Sequence, residues 1–95
     1  AMTTTEVRVQ ALDSGTGETV MFTFQADRAV DGEMLLAEYV RHLESDSGID
    51  VEMLPVHRLL YSHVRPKADL ATAVLECDDP HFGDMYITLI AYVGR

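Results

Sequence analysis

A chain of 95 residues that is 47% hydrophobic has room for one domain with a modest core and is too apolar to remain unfolded. Its formal net charge of −9, with Lys67 the one lysine among seven basic residues, argues against a nucleic-acid partner, because phosphate binding draws its affinity from Lys and Arg. No apolar run approaches the ~18 residues that a membrane-crossing helix needs, so no membrane partner is expected either.

Cys77 is the only cysteine, which excludes an intrachain disulfide and a multi-cysteine metal site. The polar opening Met2-Thr3-Thr4-Thr5 lacks the pattern of a secretory leader, and with no disulfide framework a cytoplasmic location is expected. The preference for Arg over Lys is common in GC-rich bacteria, so a bacterial source is expected. Residues 1–95 are expected to form a single domain, with 1–4 as a disordered tail.

From Thr5 to Leu12, Val7, Val9 and Ala11 alternate with Glu6, Arg8 and Gln10, the period of a half-buried strand. The segment 13–17, Asp-Ser-Gly-Thr-Gly, gathers residues that favour tight turns. A second alternation runs from Glu18 to Ala26, with Val20, Phe22, Phe24 and Ala26 on one face. Two such runs around a glycine-bearing loop predict a β-hairpin. A helix over about 31–45 follows. Asp31 can accept a bond from a free N–H at its start, Glu33 suits the positive first turn, and Leu35, Leu36, Tyr39, Val40 and Leu43 share a face.

Ile49, Val51 and Met53 alternate with Asp50, Glu52 and Leu54 and suggest a short edge strand ending at Pro55. Between Val56 and Val64 the pattern fits either a helix or a strand. The sheet-like flanks and the turn-forming 65–69 segment favour the strand, which would put His57, Leu59, Tyr61 and His63 on one face. Leu70 to Cys77 alternates Leu70, Thr72, Val74 and Glu76 against Ala71, Ala73, Leu75 and Cys77. The segment 78–84 reads as a loop. Met85 to Val93 is the strongest strand, apolar on both sides: Met85, Ile87, Leu89, Ala91 and Val93 against Tyr86, Thr88, Ile90 and Tyr92. The expected class is α+β, a mainly antiparallel sheet of four or five strands with one helix, in the order β-β-α-β-β-β.

One helix can cover only one face of such a sheet, yet the last strands are apolar on both. Something else is therefore expected to cover Tyr86, Ile90 and Tyr92, and a homodimer or higher oligomer is the leading expectation. Chemistry-bearing patterns are sparse. His57 and His63 on one strand would lie about 20 Å apart, too far for a shared metal, and no HExxH or CxxC spacing occurs, so neither a metal site nor a cofactor is expected. The acidic 78–84 segment with His81 lacks the spacing of a calcium loop.

The one basic stretch, between Glu52 and Asp69, holds His57, Arg58, Tyr61, His63, Arg65 and Lys67 and is the candidate site for an anionic ligand. Three functions follow as expectations. The first is a non-catalytic accessory or interaction domain that self-associates through its sheet. The second is a small-molecule binding protein or small enzyme using that basic stretch. The third is an acidic inhibitor, of the immunity type, for a basic partner. On balance an enzyme is the less expected outcome.

Overall fold

The computed structural model describes residues 3–46, 55–67, 69–79 and 83–94. Its elements are β1 (Thr5–Asp13), β2 (Thr19–Ala26), α1 (Gly32–Asp46), β3 (Val56–Val64), β4 (Leu70–Asp79) and β5 (Gly83–Val93). The strands form one five-stranded sheet in the order β2-β1-β5-β4-β3, and each strand is antiparallel to its neighbours. This is the expected α+β class. The strand expected over 49–54 and His81 lie outside the described residues.

Local chemistry explains the joints. In the β1–β2 turn the Asp13 carboxylate accepts bonds from the N–H groups of Gly15 (2.7 Å) and Thr16 (3.3 Å). Gly17 then adopts φ 75°, a left-handed conformation that costs glycine nothing, and donates to the Asp13 carbonyl at 2.8 Å. Ser14 ties this turn to β5: its N–H donates to the Tyr86 carbonyl and its hydroxyl accepts from the Tyr86 N–H, both at 2.9 Å. At the helix start the Asp31 carboxylate accepts from the Met34 N–H at 2.8 Å, as expected of an N-cap.

The core lies between α1 and one face of the sheet. Val7, Val9 and Ala11 of β1, Ala71, Ala73, Leu75 and Cys77 of β4, and Met85, Ile87, Leu89 and Ala91 of β5 are buried with Met34, Leu35 and Tyr39 of α1. These are the alternations read from the sequence. Tyr39 touches both edges of the sheet: its ring lies 6.3 Å from Phe22 on β2 and 5.5 Å from His57 on β3. Gly32 lets α1 approach closely, since a Cβ there would collide with the Ser62 side chain.

Two expectations need correction. A bulge between Leu59 and Tyr61 resets the alternation of β3. His57 and Leu59, opposite Cys77 and Leu75, point to the helix side, whereas Tyr61 and His63, opposite Val74 and Thr72, point to the other. The four residues therefore do not share a face. The segment 78–84 is less of a loop than its turn formers suggest, because the β4–β5 ladder continues through Asp78–Asp84 to Asp79–Gly83.

Candidate functional site

The face turned away from α1 can be read row by row from the strand register. One row crosses Leu12 (β1), Thr88 (β5), Val74 (β4) and Tyr61 (β3). The next holds Met21, Gln10, Ile90, Thr72 and His63 from β2 to β3, and a third holds Thr23, Arg8, Tyr92 and Leu70. On the other side of the first row, Tyr86 lies beside Glu76, which faces Arg58. No element among the described residues lies over this face. Tyr86 and Tyr92 are 47% and 42% exposed, Tyr61 is 60% exposed, and Leu12 and Met21 are also exposed.

The middle of the face is thus built of Leu12, Thr88, Val74, Ile90, Thr72 and Gln10; around it Tyr92 lies beside Arg8, Tyr86 beside Glu76, and Tyr61 on the edge strand β3. A middle free of charge, with aromatic rings around it, is a composition that suits contact with another protein surface. Five strands at ~4.8 Å spacing and about eight residues of length give a face of roughly 24 by 27 Å, comparable with the ~800 Å² that each partner contributes to a standard interface. The half-exposed tyrosines leave roughly 100 Å² each in water; covering all three is worth about 7 kcal/mol before association costs. Near β2 the face dips into a groove of about 410 Å³ lined by Arg8, Gln10, Met21, Thr23 and Tyr92 among others.

Of the predicted interface residues, Tyr86, Ile90 and Tyr92 all lie on this uncovered face. Sequence reasoning did not add Leu12 or Tyr61 to them. Leu12 was readable, since it follows Ala11 in strict alternation; Tyr61 was not, because only the bulge brings it round.

The basic stretch is dispersed. His57 faces the helix, edge-on to Tyr39 at 5.5 Å. Arg58 donates to Glu76 Oε2 at 3.1 Å, and Arg65 pairs with Asp69 at 3.5 Å. Tyr61 and His63 face the open side, and Lys67 lies in the exposed turn after β3. Grooves of about 240 to 450 Å³ flank β2 and α1, and none of them is lined by any of these six residues. Among the described residues no group of three or more His, Cys, Asp or Glu side chains is placed to hold a metal ion.

A second titratable cluster lies on the helix side. Burial, with added repulsion from Asp13 and Cys77, pushes the Tyr39 hydroxyl pKa up to about 12. Burial also lowers the His57 pKa, against smaller opposing effects from a backbone hydrogen bond to Pro55 and from Asp13. Both groups are therefore held neutral. Such a cluster suits a packed core better than proton transfer at neutral pH.

Comparison with protein-family models, with curated proteins and with solved structures gave no match for this chain. No helix among the described residues is long and apolar enough to cross a membrane.

Proposed function

We propose that this chain is a non-catalytic interaction domain that self-associates by pairing the uncovered face of its sheet with the same face of a second copy. The observation that carries the reading is the position of Tyr86, Ile90 and Tyr92, with Leu12, Val74 and Tyr61, on a face over which no described element lies. A face of this kind packed on its own copy is isologous, the commonest arrangement among small oligomers. Association costs ~4–15 kcal/mol, so the tyrosines alone do not secure a tight complex, and the Leu12, Ile90 and Val74 contacts have to supply the rest.

The test is the mass in solution of the native chain and of the double variant Tyr86→Ser/Tyr92→Ser. The native chain should give a multiple of 10.6 kDa that falls on dilution. The variant should associate at least tenfold more weakly with an unchanged circular dichroism spectrum. An equal mass for both proteins would remove the face from the interface.

A further inference from the structure

The two edges of the sheet are built differently. β3 begins just after Pro55, carries Arg58 and is broken by the bulge at Leu60, all devices that discourage another strand from pairing. β2 has none of them. Its eight residues, Thr-Val-Met-Phe-Thr-Phe-Gln-Ala, include no charge and no proline, and its pairing with β1 runs without a bulge.

The direction of its free hydrogen-bonding groups follows from the hairpin. Asp13 donates to the Glu18 carbonyl at 3.0 Å, so that facing pair is a hydrogen-bonded one. Alternation then turns Val20, Phe22 and Phe24 towards β1 and turns the N–H and C=O groups of Thr19, Met21, Thr23 and Gln25 outward. Among the described residues no strand lies beyond them.

We infer that β2 is a second interface, at which it pairs antiparallel with the β2 of another copy about a two-fold axis through Thr23. This register joins the outward-facing groups of Thr23 to those of the second copy's Thr23, and those of Met21 to those of the second copy's Gln25. Phe22 then faces the second copy's Phe24 in a pair without backbone bonds, the closer kind for side chains. That pair lies beside the groove of about 380 Å³ between β2 and α1, where Phe22 already stacks on His42 at 4.8 Å. At both ends Glu18, one residue before β2, comes near the second copy's Arg28, two residues past the end of β2. Moving the register by two residues, with Phe22 on the axis, would set Glu18 against Ala26 and lose that charge match.

A two-fold axis perpendicular to the sheet keeps both open faces on the same side. The edge pair is then a ten-stranded sheet with one continuous uncovered face. If the faces also pair, two such sheets close into a tetramer.

The inference does not depend on the face reading, and the test separates them. In the Tyr86→Ser/Tyr92→Ser background, edge pairing leaves a dimer. Adding Thr23→Pro, which removes an outward N–H and leaves the β1 ladder intact, should give a monomer. Because Thr23→Pro can disturb folding, a charge exchange provides an independent check. Glu18→Arg and Arg28→Glu should each weaken edge association at least tenfold at low salt, and the double exchange should restore it. A monomer already in the face variant overturns the edge interface while leaving the face reading intact, as does failure of the charge exchange to move the mass. A native mass unchanged by Thr23→Pro and by both charge variants also overturns it and leaves β2 to the strand of a different protein.

Discussion

Leu89 and Ile90 are neighbours in β5, yet one is completely buried beneath α1 and the other lies on the face that α1 does not reach. The same contrast runs along the whole strand: Met85, Ile87, Leu89 and Ala91 against Tyr86, Thr88, Ile90 and Tyr92. On the covered side the residues are aliphatic and small enough to interdigitate with a helix. On the other they are long, partly polar and half in water. Tyrosine suits that second role because its ring offers apolar area while its hydroxyl stays satisfied in the free chain. A side chain's contribution to the fold and its contribution to a partner can thus be separated within consecutive residues.

The largest expected effect sharpens that comparison. Leu89→Ala should cost about 3–4 kcal/mol in denaturant unfolding, the loss expected for a fully buried leucine. Ile90→Ala should cost the dilute monomer only about 1 kcal/mol and act mainly on mass. Equal losses would mean that the two faces are not different in kind.

Next comes the alkaline limb of stability. With its pKa raised from 10.0 to about 12, Tyr39 keeps its proton in the folded chain at a pH where the unfolded chain has lost it. Stability should therefore be full below pH 10 and fall between 10 and 12, by up to about 2–3 kcal/mol. Tyr39→Phe should flatten that limb; an unchanged slope would refute the assignment. His57 acts with the opposite sense. Its folded pKa lies below 6.5, so the unfolded chain takes the proton first and stability should fall as pH drops through 6.5. His57→Gln should reduce that acid loss.

Gly32→Ala should destabilise by about 1–2 kcal/mol, although alanine is the better helix former, because its Cβ meets Ser62 on the packed side. A gain in thermal stability would show that α1 can lift off β3 freely. The smallest effect belongs to the border of the open side, where Asp78 and Asp84 face each other across the ladder. Asp84→Asn should stabilise by a few tenths of a kcal/mol at low salt and by less at high salt.

Much of this arrangement was legible in the residue pattern, for local reasons. Strict alternation placed Val7, Val9 and Ala11 and both sides of β4 and β5, and Asp31 with Glu33 marked the helix start. What escaped was non-local or involved one residue. With Leu59 and Leu60 both apolar, a period of two has no way to register the extra residue at the bulge, so Tyr61 and His63 were assigned the wrong side relative to His57. Asp78 and Gly83 are turn formers by propensity, and the ladder overrides that preference. That β2 is outermost among the described strands required the strand order, since composition does not say which strand lies at an edge. For the same reason the open face was foreseen through Tyr86, Ile90 and Tyr92 but not in its full extent.

The account turns on whether a second chain lies over the open face, and tyrosine nitration as a function of protein concentration tests this most directly. Tyr39, 6% exposed, should stay unreactive throughout. Tyr86 and Tyr92 should react readily in dilute solution and become protected as concentration rises, in step with the increase in mass. Equal reactivity of Tyr86 and Tyr92 at every concentration, while the mass rises, would contradict it.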